Sequence, residues 1–166
     1  MDSRAIIAEL PRLRRYARAM LGDRAAADDL VQDTLERAWN RFAQWRAGSD
    51  LRAWLFGIMH NLRVDQLRRC SLPTHSLDDD ANEVPTRATQ SDRLEVMDLE
   101  SALRQLPDDQ REVLLLVGLE EMSYAEIAAA LGIPIGTVMS RLSRGRERLR
   151  QIMEDRQSGA NLRVVR

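Results

Sequence analysis

The sequence is poor in cysteine. Its single thiol, Cys70, excludes an internal disulfide and any cysteine-based zinc site. The two histidines, His60 and His75, cannot supply a metal site either, so neither a metal nor a cofactor is expected. Lysine is absent altogether: every one of the 25 basic residues is an arginine. Aromatic residues make up only 4% of the chain, while Leu, Ala and Arg dominate, a mix that suits packed helices better than sheets. No apolar run approaches the roughly 18 residues of a membrane span, so membrane insertion is not expected. The segment Met1 to Leu10 carries acids and has no apolar stretch of the signal-peptide kind, which predicts a cytoplasmic location. There is no P-loop, no nucleophile paired with a base and no clustered carboxylates, so the chain does not read as an enzyme.

What is present is a pattern of charge. The net charge of -1 conceals two basic ends around an acidic middle. Residues 1–70 hold 13 Arg against 9 acids, residues 71–122 hold 4 against 13, and residues 123–166 hold 8 against 4. A near-neutral total argues against strong non-specific DNA binding, which scales with the phosphates neutralised.

The expected fold is all-α, with two small helical domains and a linker between them. Residues 71–93 carry two prolines and the run Asp78-Asp79-Asp80 with no helical apolar period, and read as a flexible acidic linker. Residues 1–70 form the first domain, 94–154 the second, and 155–166 a tail. A helix is expected from Ser3 to Met20, stopping at Gly22-Asp23. A second runs from Ala26 to Gln44 with Val31, Leu35, Ala38 and Phe42 on its inner face and Trp39 read as core. A third carries Leu51, Leu55, Ile58 and Leu62. Beyond the linker, Val96, Leu99, Leu103 and Leu106 predict one helix face, ended by Pro107. Asp108 and Asp109 then suit the positive start of a helix that buries Val113, Leu114 and Val117 and stops at Gly118.

The segment Ser123–Leu149 carries the clearest signal, that of a helix-turn-helix. Ser123 and Glu126 form a capping box. Ala125, Ala128 and Ala129 are small enough to let helices cross closely. Gly132 tolerates the positive φ of a turn, and Pro134 suits the start of a helix. In the helix that follows, Val138, Leu142, Gly145 and Leu149 share an inward face. The opposite face presents Gly136, Ser140, Ser143, Arg144 and Glu147 to the major groove, with Met139 at its edge and Arg141, Arg146 and Arg148 placed for phosphates. A bidentate Arg144–guanine pair is worth roughly 1–3 kcal/mol of base discrimination.

Two N-terminal motifs narrow the reading. Asp28-Asp-Leu-Val-Gln-Asp-Thr-Leu-Glu-Arg-Ala-Trp39 and Trp54-Leu-Phe-Gly-Ile-Met-His-Asn-Leu-Arg-Val-Asp-Gln-Leu-Arg-Arg69 closely resemble the extracytoplasmic-function (ECF) sigma factors of the bacterial sigma-70 family. Pro107-Asp-Asp-Gln-Arg-Glu-Val-Leu and Gly136-Thr-Val-Met-Ser-Arg-Leu-Ser-Arg-Gly-Arg resemble that family's second domain, so that the likeness runs from about Leu10 to Leu149. It implies a promoter-specificity subunit with two reading domains, sigma regions 2 and 4. Asp29, Gln32, Asp33, Glu36 and Arg37 would dock on the β′ clamp helices of core RNA polymerase, and region 4 would meet the β flap. Trp45, Arg46, Ser49, Asp50, Trp54, Asn61, Arg63 and Arg68 would hold the melted −10 strand, Arg69 lying close by. Gly136, Thr137, Met139, Ser140, Arg141, Ser143, Arg144 and Arg148 would read the −35 element. Met139 stands where many relatives place a basic residue. An anti-sigma factor is implied as a further partner. Two other readings are a free-standing regulator acting without polymerase and a sigma mimic that sequesters an anti-sigma factor.

Overall fold

The computed structural model describes residues 3–70 and 91–164. Seven α-helices follow one another among the described residues: α1 Ser3–Leu21, α2 Arg24–Asn40, α3 Leu51–Cys70, α4 Ser91–Arg104, α5 Asp108–Gly118, α6 Tyr124–Leu131 and α7 Ile135–Val164. A single 3-10 turn, Phe42–Gln44, lies between α2 and α3, and no strand occurs among the described residues. The fold is therefore all-α, in two helical domains, α1–α3 and α4–α7, the second built around a helix-turn-helix. No single helix among the described residues is long and apolar enough to cross a membrane. Most of the predicted linker, residues 71–90, lies outside the described residues. Residues 91–93, assigned to it from sequence, begin α4 instead.

In the first domain, α1 and α3 pack on α2. Gly22 ends α1 in the left-handed conformation (φ 72°), and the Asp23 side chain accepts a hydrogen bond from the Ala25 N–H to start α2. Leu13, Tyr16, Ala17 and Met20 of α1 meet Ala27, Leu30, Val31 and Ala38 of α2 and Leu55, Phe56, Ile58 and Met59 of α3 in one core. Tyr16 and Phe56 stack edge to face at 4.9 Å. Thr34 is fully buried, its hydroxyl satisfied by the Leu30 carbonyl at 2.7 Å.

That core corrects the expected inner face of α2. Leu35 and Phe42 are only half-buried, and Leu30 and Thr34 take the central places. Trp39, read as core, is 57% exposed. It follows Ala38 by one residue, about 100° further round the helix, and so falls off the buried stripe.

In the second domain, α5, α6 and α7 share Val113, Leu115, Leu116, Ile127, Leu131, Val138 and Leu142. Three expectations change. On α4, Leu106 beyond its end and Ala102 are buried, but Val96 (56%) and Leu99 (41%) are exposed because they line an open groove against α1. On α5, Leu115 and Leu116 are buried along with Val113, as are Arg111 and Glu112, whereas Leu114 and Val117 are half-buried. This helix is covered on more than one side because the first domain packs against it. Finally, α7 does not stop at residue 154: it continues to Val164, and Arg156 bonds the Asp98 carbonyl and the Ser101 hydroxyl of α4.

The two domains lie against each other. Arg111 shows how closely. Its five N–H groups serve the Leu103, Arg104 and Leu106 carbonyls at the end of α4, the Asp108 carboxylate, and the Met20 carbonyl of α1 at 2.7 Å. A lysine has three donors and no planar fork, so it could not close this set.

Candidate nucleic-acid interface

The helix-turn-helix is built by local rules. The Ser123 side chain accepts from the Glu126 N–H at 3.1 Å, and Glu126 Oε2 accepts from the Ser123 N–H at 2.7 Å, closing the capping box. Gly132 ends α6 at φ 66°, and the Pro134 carbonyl accepts the Thr137 and Val138 N–H groups that open α7. Val138, Leu142 and Gly145 are buried and Leu149 half-buried, so this face turns inward. The close fit at Gly145 is visible in the Leu114 side chain, 3.0 Å from where a Cβ would stand.

The outer face of α7 carries the residues expected at the −35 element. Gly136, Met139, Ser143, Arg144 and Arg148 are exposed, while Thr137, Ser140 and Arg141 are half-buried. Arg144 reaches Ser140 Oγ at 3.4 Å, and Arg141 stands 3.6 Å from Asp109. The fully exposed pair Arg150–Glu147 lies further along; its bidentate hydrogen bonding raises the arginine pKa and lowers that of the carboxylate. The alanines expected to aid crossing behave differently: Ala125 and Ala129 are exposed, and the close approach is made by Ala130 towards α3.

On α2, Asp29, Gln32, Asp33 and Glu36 are exposed and Arg37 half-buried. Trp39 extends this surface. It is seven residues after Gln32 and three after Glu36, which is the spacing of one helix face.

The residues expected on the −10 strand divide in two. Phe42, Trp45 and Trp54 form an aromatic cluster, with Phe42 5.4 Å from Trp45 and 6.4 Å from Trp54. The Trp45 indole N–H is buried with no hydrogen-bond partner among the described residues. Arg46, Ser49 and Asp50 are exposed beside it, in a turn closed by Ser49 Oγ donating to the Arg46 carbonyl at 2.8 Å. Asp50 caps α3 by accepting from the Arg52 N–H. Along α3, Trp54, Asn61 and Arg68 recur every seventh residue and share one stripe. Asn61 and Arg68 are exposed. Arg63 is not on that stripe. It lies about 180° round the helix from Trp54, and its guanidinium bonds Asp108 of the second domain at 2.9 Å.

Several other groups join the domains. His60 Nδ1 is 2.6 Å from Glu112 Oε1, and both side chains are largely buried. Arg15 donates to the Leu119 carbonyl and to Glu120 Oε1, each at 3.1 Å, and Arg52 to the Glu120 carbonyl at 2.9 Å. Burial and the nearby carboxylates of Glu112, Glu120 and Asp108 push the Tyr16 hydroxyl well above its ordinary value, so it stays neutral. Burial also lowers Arg111, and Asp108 partly offsets that.

Two family models match this chain: one described as the sigma2 domain of PhyR over residues 6–60, the other as sigma-70 region 4 over residues 97–149. The chain is 38% identical over 149 residues to the ECF RNA polymerase sigma factor EcfG of Rhodopseudomonas palustris, covering 89% of this chain and 82% of that protein. It belongs to the ECF RNA polymerase sigma factors. Among solved structures, this sigma factor is similar to the sigma factor RpoE in complex with the anti-sigma factor NepR from Bartonella quintana. That match has a TM-score of 0.74 and 35% identity over 91% of this chain and 95% of that one. It is also similar to CnrH in complex with the cytosolic domain of CnrY, with a TM-score of 0.68 and 28% identity over 92% and 86% of the two chains.

Sequence reasoning about this sigma factor missed Trp39, Phe42 and Arg111. Trp39 carried a readable signal in its spacing from Gln32 and Glu36, whereas Phe42 and Trp54 lie on different elements and their spacing carries none. Arg111 carried none, because four of its five partner groups are carbonyls whose position only the folded chain defines.

Proposed function

We propose that this chain is the promoter-specificity subunit of RNA polymerase, reading the −35 element with α7 and the melted −10 strand with α3 and the turn before it. The observation that carries the reading is the outer face of α7. Gly136, Met139, Ser143 and Arg144 stand uncovered there, while the inner face of the same helix is locked into a core. The helix start is thereby presented as a major-groove reader needs. Arg141 and Arg148 flank it for phosphate.

The second reader is built on other chemistry. Trp45, Phe42 and Trp54 supply aromatic walls, and Ser49, Asp50, Asn61 and Arg68 polar edges for an unstacked base and its backbone. Residues 1–70 serve as the polymerase and −10 domain and residues 91–164 as the −35 domain, the latter also meeting the β flap. Asp29, Gln32, Asp33, Glu36 and Arg37, with Trp39, form the face for the β′ clamp helices. An exposed tryptophan among mixed charges is the composition of a binding hot spot. The chemistry of synthesis stays with the polymerase, and the place of action is the cytoplasm.

An anti-sigma factor is the regulatory partner this reading includes. A groove of about 1010 Å³ runs between α1 and the helices α4, α5 and α7, with Val96, Leu99 and Leu103 as apolar wall and Arg14, Arg18 and Arg24 on its rim. An amphipathic helix with acidic flanks fits that surface.

The test is run-off transcription with purified core polymerase on genomic fragments. The reading expects transcripts that need both the chain and the core enzyme. Tight operator binding by the chain alone, or no transcript from any fragment, contradicts it. The second outcome is what a chain that only sequesters an anti-sigma factor would give.

A further inference from the structure

A lone methionine on a protein surface needs no explanation. Met139 differs by its place. Viewed down α7, it stands between the buried stripe of Val138, Leu142 and Gly145 and the uncovered one of Gly136, Ser143 and Arg144. It is 53% exposed. Beside it the surface dips into an open notch of about 490 Å³ between the start of α6 and α7. Tyr124, Met139 and Leu142 give the notch its apolar lining, and Arg146, Glu147 and Arg150 stand on its rim. Arg150 donates to Glu147 at 2.6 Å and to Glu154 at 2.7 Å, so the acid on the rim is already paired. Arg146 forms no ion pair among the described residues and is left to meet a phosphate.

The floor of the major groove limits what such a surface can touch. Guanine, adenine and cytosine present donors and acceptors there, and thymine an acceptor and one apolar group, its C5-methyl. An apolar side chain laid over a donor or acceptor strips it of water and returns no hydrogen bond. Laid over the thymine methyl, it removes apolar surface from water at no such cost. The flexible thioether of methionine adapts to the contact. In a helix-turn-helix the first helix crosses the DNA backbone and the second enters the groove. Tyr124 opens the first of these, so the notch lies where both meet the duplex. Arg144 is about 140° round α7 from Met139 and remains available for a different base.

We propose that Met139, backed by Tyr124 and Leu142, is a specificity-determining residue that selects an A·T base pair in the −35 element through the C5-methyl of its thymine. The inference rests on the proposed reading of α7 as the −35 helix and adds the chemical group that one of its positions recognises. A basic residue at this place, as many relatives carry, has no use for a methyl group and turns to guanine or phosphate instead. The chain therefore differs from such relatives in the base pair it selects at this step.

The test uses a promoter recovered by run-off transcription with the full chain and core polymerase. Each thymine of its −35 element, on either strand, is replaced in turn by deoxyuridine, which lacks only the methyl group. The expected result is one position at which transcription at subsaturating enzyme falls about three- to fivefold, the worth of one buried methyl group. At that position Met139→Ala shows no difference between the two bases. Cytosine is rejected there, and 5-methylcytosine does better than cytosine by a similar factor, again only with Met139 in place. Met139→Leu keeps the methyl response and Met139→Arg loses it. Met139 is exposed, and circular dichroism confirms that each variant folds. A −35 element with no A·T pair, or indifference of the parent to every methyl group, overturns the inference. So does an equal loss by Met139→Ala with thymine and with uracil, which is what a protein contact at Met139 would give. In these cases transcripts from the unmodified promoter leave the sigma reading standing. No transcript from any fragment removes that reading, and the inference with it.

Discussion

The two helices proposed as readers, α3 and α7, are held in opposite ways. The reading part of α7 is packed along one face and open along the other, and each of its features follows from residues close by in sequence. By contrast, α3 is packed against α2, α1 and α6, so the stripe of half-buried Trp54 and exposed Asn61 and Arg68 is a narrow remainder. The lesson is about what governs each site. The face of α7 is set by its own amphipathic period, whereas the face of α3 is set by which other helix is against it.

The largest expected effect breaks this comparison at the contact between the domains. Arg111→Ala removes the side-chain donor from the carbonyls of Met20, Leu103, Arg104 and Leu106 and leaves Asp108 with Arg63 alone. A loss of about 3–5 kcal/mol of unfolding free energy is expected in urea denaturation, as for other broken buried charged networks. Arg111→Lys should recover only part of it. A loss under about 1 kcal/mol, the range of an exposed ion pair, would show that the domains do not depend on this residue.

Next comes the polymerase face. Trp39→Ala should weaken binding to core polymerase by about 2–4 kcal/mol, the range of an interface anchor, while leaving the melting temperature of the free chain nearly unchanged, since Trp39 is 57% exposed. Surface plasmon resonance against core enzyme reads the first and thermal denaturation the second. A large drop in melting temperature would restore Trp39 to the core.

Arg144→Ala sharpens the comparison from the side of α7. It should cost about 1–3 kcal/mol of discrimination at one −35 base pair, read as relative run-off transcription across single-base promoter variants. Uniform loss over all variants would make Arg144 a phosphate contact instead. The smallest effect belongs to the cap: Ser123→Ala should lower stability by about 1 kcal/mol and act mainly on α6, detectable as faster amide exchange in its first turn.

How much of this was legible in the sequence follows the same division. The capping box at Ser123 and Glu126, the left-handed Gly132, the inward face of Val138 and Leu142 and the charged start of α5 are short-range features, and each is where the sequence puts it. The helices of the first domain were also legible: α1 ends one residue later than expected, and α2 starts two residues and ends four residues earlier. What was not legible depends on contacts between residues far apart in the chain. Val96 and Leu99 have core-like spacing but border an open groove; Glu112 is acidic by type yet buried, and His60 meets it from 52 residues away. Arg63 belongs by sequence to the same run as Asn61 and Arg68. The helix turns it to the other side, where Asp108 takes it.

The central claim is that this chain is a reader in two halves that acts only with polymerase. Nuclease footprinting on a promoter recovered by run-off transcription tests it most directly. The account predicts protection across both the −35 and −10 elements when chain and core enzyme are present together, with little protection by either alone. A full footprint from the chain without polymerase, or protection confined to one element in the complete enzyme, would contradict it.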